Sequence, residues 1–379
     1  MSHSHAVQAA GTDSSLSSTS TPTSPAAPTP AAAGSSAYRT HDGEPGSSRE
    51  TLLAIWKGAL GDPLHMIAKY DWFYMQCPFG IPAIQLVQHE PSGTWAGTCT
   101  TGRRRMLAQG RELRAGLQAD LAVASGHRSL GPALMLQQAA QAAAVGRFDV
   151  LYGFPNNNAV PLFKRLGWTH LVDAVRYSRV LRHRSYLAKH LHPRLAGPLA
   201  HVLDAVTAAT RQLRLQVLGS SGVEWRDRVD PRMDALWESS PRDDALVSVR
   251  DTDYLRWRFD DCPLVRTRYL MLSAPKSGAL VAWFATQAQG STLMIRDFWS
   301  VDGTRGVAAR HVDALLAAAH AAGHGAVSVE AAIAAPRFSG WLARGFIERG
   351  RRPVYMLVLG SERAPCPAPP YLTAADEDQ

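Results

Sequence analysis

The stretch that most constrains the fold is LQADLAVASGHRSLGPALMLQQ, residues 117–138. Its first part alternates, with Leu117, Ala119, Leu121 and Val123 on one face, and reads as a strand. A Gly131-Pro132 turn breaks the pattern, and an Ala/Leu/Gln helix runs from about Leu130 to Ala144. A buried strand, FDVLYGFP, follows. A strand, a turn, a crossover helix and another strand require a sheet with a helix laid across it.

The rest of the chain fits that frame. Residues 1–48 are Ser, Thr, Ala, Pro and Gly with almost no large apolar side chains, which predicts a disordered tail. Helical spacing appears in RETLLAIWKGAL and LHMIAKYDWFYMQ. PAIQLVQHE, TWAGTCTTG and RRRMLAQG then read as strands ahead of the alternating segment. After the crossover helix come FDVLYGFP, a short helix NNAVPLFKRLG ended by Gly167, and the strand AVRYSRVL. Residues 184–215 are amphipathic and helical, a linker. The same order of elements then recurs over residues 216–360, with little residue identity to the first set. Residues 361–379 are Pro-rich and then acidic, and read as a flexible tail. The expected fold class is α/β (α+β), a tandem of two mixed, mostly antiparallel sheets flanked by helices.

Composition narrows the function classes. The chain has 379 residues and 46% hydrophobic content, room for two ordinary domains. No run of about 18 apolar residues and no secretion signal are visible, so a cytoplasmic location is expected. Cys77, Cys99, Cys262 and Cys366 are scattered, without the spacing of a zinc site or a disulfide framework, and no metal is expected. The net charge of +8 suits an anionic partner, and does not say which.

The turn into the crossover helix has chemistry of its own. Backbone N–H groups in a first helical turn lack internal partners, and with the helix dipole they form an anion site. Gly131 and Ala133 keep that end free of bulk, Arg128 adds positive charge, and Pro132 is compatible with a helix start. Arg128-Ser129-Leu130-Gly131-Pro132-Ala133 resembles the R/Q-x-x-G-x-G/A pyrophosphate loop of the GNAT acyl-CoA acyltransferases. Downstream, Asn156 to Trp168 (NNNAVPLFKRLGW) is similar to that family's N-x-x-A-x-x-L-Y/F-x-x-x-G-F/W element. The resemblance covers about residues 50–183, and the GNAT domain is expected at 49–183.

The resemblance implies acetyl-CoA, or another acyl-CoA, held by Leu121, Val123, the loop Arg128, Ser129, Leu130, Gly131, Pro132 and Ala133, and by Asn156 and Phe163. It also implies direct attack of an acceptor amine on the thioester. Asp120 is the candidate base, set by alternation on the face of Gln118 and Ala122. Many family members have Tyr where this chain has Phe163, so either another hydroxyl serves as acid, with Tyr152 and Tyr177 the candidates, or no protein acid is needed. The second half has VDGTRGVAARHV where the loop would fall, with only Arg305 and Gly306 as an echo, and is expected to have lost cofactor binding. DYLRWRF, at 253–259, reads as a buried aromatic helix face with exposed arginines, and Asp297 as a structural residue. Basic runs at Arg103–Arg105 and from Arg176 to Lys189 read mainly as solvated faces. They leave open an anionic acceptor, the 3′-phosphate of CoA or peripheral contact with an anionic membrane. No nucleic-acid-binding signature accompanies them. The expected function is acyl transfer to an amine of a small molecule or cell-surface precursor. The alternatives are a Fem-type aminoacyl-tRNA-dependent transferase and a non-catalytic acyl-CoA-binding module.

Overall fold

The computed structural model describes residues 37–182, 222–242, 245–359 and 368–378, with Ala205 and Ala209 between them. Most of the expected 1–48 tail and of the 184–215 linker lies outside the described residues. Order begins earlier than composition suggests. Strand β1 (Tyr38–Gly43) and the first turn of helix α1 (Pro45–Lys57) fall inside the expected tail. The reason is that β1 is an edge strand with a single neighbour, so it needs few apolar side chains. Pro45 suits the first turn of α1, where its missing N–H costs nothing.

Helix α2 (Pro63–Lys69) is capped by Asp62, whose carboxylate accepts from the Leu64 and His65 N–H groups. It runs into a π-turn at Tyr70–Tyr74. Strands β2 (Ala83–His89), β3 (Thr94–Ala108) and β4 (Arg111–Val123) follow. TWAGTCTTG and RRRMLAQG are therefore one strand. Gln109 and Gly110, both at positive φ, close the β3–β4 hairpin. Then come α3 (Leu130–Ala144), β5 (Val150–Gly153), α4 (Val160–Arg165) and β6 (Thr169–Val180).

Beyond the linker lie β7 (Gly222–Arg226), α5 (Arg232–Ser239), β8 (Leu246–Ser248) and α6 (Thr252–Leu255). A second π-turn spans Arg256–Asp260. Strands β9 (Arg268–Ser273), β10 (Leu280–Gln289) and β11 (Thr292–Ser300) precede α7 (Ala309–Ala321) and β12 (Ala326–Ile333). Helix α8 (Ser339–Leu342), β13 (Ile347–Val358) and β14 (Pro370–Thr373) end the described chain. Strands β1, β7, β8 and β14 carry no clear alternation in the sequence. Among the described residues no helix is long and apolar enough to cross a membrane.

The strand order is β1-β2-β3-β4-β5-β13-β6-β12-β11-β10-β9-β7. It reads alike from both ends, with a parallel pair, β4–β5 and β11–β12, in each half. The centre is exchanged: β13 lies between β5 and β6, and β6 lies between β13 and β12. Strand β14 pairs with β12 and β8, and β8 pairs with β3. These pairings close a ring through β3, β4, β5, β13, β6, β12, β14 and β8.

The flexible tail expected at 361–379 is corrected for residues 368–378. Tyr371, Leu372 and Asp376 there have no exposed surface. The Tyr152 hydroxyl donates to the Asp376 carbonyl at 2.9 Å, and Tyr254 and Arg258 donate to that of Ala375, each at 2.9 Å. Arg250 pairs with the Asp376 carboxylate at 3.3 Å. Buried arginines thus take the place of the water that the acidic composition implies. In DYLRWRF the aromatic face is buried as expected, but Arg258 is buried with it, because it holds this segment.

Candidate functional site

Strands β4 and β5 pair over Ala115–Leu117 and Val150–Tyr152, after which β4 continues to Val123 paired with β3 alone. A cleft of about 560 Å³ opens where that pairing ends, lined by β4 on one side and by the segment after β5 on the other. A bulge in β4 shapes its wall. Thr98 faces Ala122 and Thr100 faces Ala119, so Asp120 and Leu121 together oppose Cys99. Asp120 takes the left-handed conformation, φ 51°. This breaks the alternation expected for β4, and Gln118, Ala119, Asp120 and Leu121 all line the cleft.

The opposite wall holds Phe154, Asn156 and Phe163. The Asn156 side-chain oxygen accepts from the N–H groups of Asn158 and Ala159, which shapes the turn before α4. Its amide nitrogen has no partner among the described residues. Phe163 packs against Trp168 and Tyr355 with its ring at the cleft.

Val123 and the loop residues Arg128, Ser129, Leu130, Gly131, Pro132 and Ala133 stand outside the lining, at the end of β4 and the N-terminus of α3. No side chain caps that helix, and a Cβ at Gly131 would meet nothing within 4 Å. Arg128 does not point into this space. It donates to the Gly58 carbonyl at 2.9 Å and braces the loop against the end of α1.

Two expected acids lie elsewhere. Tyr152 is fully buried, spends its hydroxyl on Asp376, and is held well above its ordinary pKa by burial. Tyr177, on β6, stacks on Phe338 at 4.8 Å. Neither lines the cleft.

The structure adds residues that the sequence did not single out. The Lys69 ammonium lies 2.7 Å from Asp120 Oδ1 and 2.7 Å from Asp378 Oδ2. The Tyr74 hydroxyl lies 2.8 Å from Asp120 Oδ2 and 2.6 Å from Thr100 Oγ1. An ionised Asp120 only accepts, so Tyr74 donates to it and Thr100 donates to Tyr74. One cation between two carboxylates leaves the cluster a net negative charge. Burial raises Asp120 above the ordinary carboxylate range, against the pull of Lys69. Asp378 is lowered, because Lys69 outweighs its burial. Burial opposes the Lys69 charge, but the two carboxylates prevail and raise its pKa. Behind the bulge, Gln137 donates to Cys99 Sγ and Cys99 to Gln118 Oε1, both at 3.3 Å. Burial pushes the Cys99 thiol up to about 12, so it serves as packing.

Among the described residues, the second half differs at the matching place. A Cβ at Gly303 would overlap the Pro241 carbonyl, and one at Gly306 that of Arg337. Backbone thus lies against Gly303 and Gly306, unlike Gly131, although a cavity of about 340 Å³ lined by Arg305, Gly306, Ala309 and Arg337 remains at the start of α7. Asp297 is sealed against Arg250 at 3.0 Å. Of the basic runs, Arg103 bonds the Ile81 carbonyl, and Arg105 pairs with Glu112 and Asp251. Arg103, Arg104, Arg105, Arg176, Arg179 and Arg182 do not line the cleft. Arg184 and Lys189 lie outside the described residues.

No protein-family model and no curated protein matches the sequence. Solved structures do match. A probable N-acyltransferase from Enterococcus faecalis V583 superposes with a TM-score of 0.61 at 8% identity, over 85% of this chain and 73% of that one. A GCN5-related N-acetyltransferase from Anabaena variabilis gives 0.57 at 10% identity, over 85% and 73%. Saccharomyces cerevisiae N-myristoyltransferase, solved with bound myristoyl-CoA, gives 0.50 at 8% identity, over 85% and 83%. At these identities the likeness is one of fold, and the chain has the fold of the GNAT N-acyltransferases.

Proposed function

We propose that the protein is an acyl-CoA-dependent N-acyltransferase, acetyl-CoA being the simplest donor, with its active site between β4 and β5. The carrying observation is the cleft where the β4–β5 pairing ends, beside an uncapped, unobstructed α3 N-terminus. The first-turn N–H groups of α3 suit a pyrophosphate. Asn156 offers its amide nitrogen to the pantetheine arm, and Leu121 and Phe163 give the arm an apolar wall. The donor supplies an activated thioester carbonyl. Asp120 takes the proton of the attacking amine, with Tyr74 fixing its orientation. Asp378 and Asp120 give the cleft the negative charge that attracts an ammonium-bearing acceptor.

The palindromic strand order supports a tandem of two GNAT-like halves, of which the second has lost the donor site. The backbone carbonyls that lie against Gly303 and Gly306, where Gly131 has open space, support that loss.

Calorimetric titration of acetyl-CoA tests the reading. The wild type is expected to bind on the micromolar scale, about −8 kcal/mol. Gly131→Glu is expected to abolish binding while the circular dichroism spectrum is unchanged, because a carboxylate then occupies the helix end. Equal affinity in the two proteins would remove the loop from the site, and no binding to the wild type would overturn the reading.

A further inference from the structure

We propose that Lys69 is a catalytic residue of this cleft, holding the departing thiolate with its third N–H group. The proposal rests on the acyltransferase reading above and deepens it. With Phe163 in place of a tyrosine, and with Tyr152 and Tyr177 outside the cleft, no phenol among the described residues lines it, and the one beside it, Tyr74, is spent on Asp120. Among the described residues that line the cleft, Lys69 is the only one of permanent positive charge. An ammonium has three donors. Asp120 and Asp378 take two, and the third has no hydrogen-bond partner among the described residues, the ammonium's one other contact there being the Phe73 ring at 5.7 Å. Burial holds the group in place, since its side chain is only 5% exposed.

The charges balance through the step. The amine nitrogen bonds to the thioester carbon and its proton passes to Asp120. The C–S bond then breaks and the electron pair leaves with sulfur. As Asp120 becomes neutral, the Lys69–Asp120 attraction weakens while negative charge grows on the thiolate, so the ammonium is released towards the sulfur. Lys69 does not give up its proton. Its pKa is raised from 10.5, and that of a thiol is about 8.5. The thiolate is protonated afterwards by solvent, which also takes the proton from Asp120.

The test uses free CoA as probe and Asp120→Asn as background, since that variant carries the neutral group of the moment after proton transfer. Thiolate ultraviolet absorbance of bound CoA is followed against pH. In Asp120→Asn the bound thiol is expected to titrate at least about one unit below its free value, a tenfold gain in thiolate. Adding Lys69→Met and Asp378→Asn together keeps the cluster neutral while removing the cation, and is expected to abolish the shift. Should that variant fail to fold, Lys69→Arg in the same background, with a longer and planar head, is expected to shrink the shift. An unshifted thiol in Asp120→Asn, or a full shift without Lys69, overturns the proposal. Failure of CoA to bind the wild type would instead overturn the acyltransferase reading.

Discussion

Asp120 is where backbone and chemistry meet. A non-glycine residue at φ 51° carries strain on the order of 1 kcal/mol, which a short polar side chain tolerates better than most. The bulge sets that conformation and turns the carboxylate towards Lys69 and Tyr74. A base must be ionised to act, and burial has moved Asp120 above the usual carboxylate range. For any amine that the wild type acylates, kcat/KM is therefore expected to fall on acidification through a value above about 4. Asp378 is a second negative charge beside Asp120, and it raises the Asp120 value further. Replacing it by Asn removes that repulsion, so the acid limb in Asp378→Asn should move to lower pH. A limb that stays in place or moves up would show that another group titrates. Asp120→Asn should lower transfer about 100- to 10,000-fold and leave acetyl-CoA affinity within about twofold. An unaffected rate would remove Asp120 from the chemistry.

Among the elements, the segment 368–378 differs most from its sequence. Pro, Ala and acidic residues without a period predict a solvated tail, yet four residues of it form β14 and its carbonyls are claimed by Tyr152, Tyr254 and Arg258. Tyr152→Phe leaves the buried Asp376 carbonyl without that donor, which should cost about 1–3 kcal/mol in denaturant unfolding. Acetyl-CoA affinity and the transfer rate should stay within about twofold. Lost transfer at unchanged stability would return Tyr152 to catalysis. The helix start at 128–133 and the turn at Asn156 were legible as local structure because each is a contiguous run whose residues act on one another. Lys69 was not, since its partners lie 51 and 309 residues away and nothing near it marks a site. Position of the base was legible as a strand residue, but its face was not, because a bulge leaves no mark in an alternating pattern. One signal was present and unread. Trp72-x4-Cys77-Pro78 recurs as Trp257-x4-Cys262-Pro263. The two indoles stack at 5.2 Å, and each donates to the other's backbone carbonyl. The repeat marks the matching π-turns on which the two halves meet.

At the scale of the molecule, the order of elements along the chain hides how they pair. Two successive sets of strands predict two sheets, but β6 has neighbours only from the second half, and β13 only from the first. Neither strand encodes its partner, since each mixes polar, charged and apolar residues over a mostly half-buried or exposed course that would suit more than one neighbour. The exchange, with the ring closed through β8 and β14, makes each half incomplete alone. Residues 37–182 by themselves would leave β5 without β13 and expose both edges of β6, a template for aggregation. That fragment is expected to show no cooperative unfolding transition. Mixed with residues 216–379, it should recover the spectrum of the full chain. The full chain is expected to unfold in one transition, with circular dichroism and tryptophan fluorescence coincident. Two separated transitions, or a cooperative fold in the isolated first fragment, would mean that the halves are independent domains. The cleft would then owe nothing to Asp378, which reaches it from the far end of the chain.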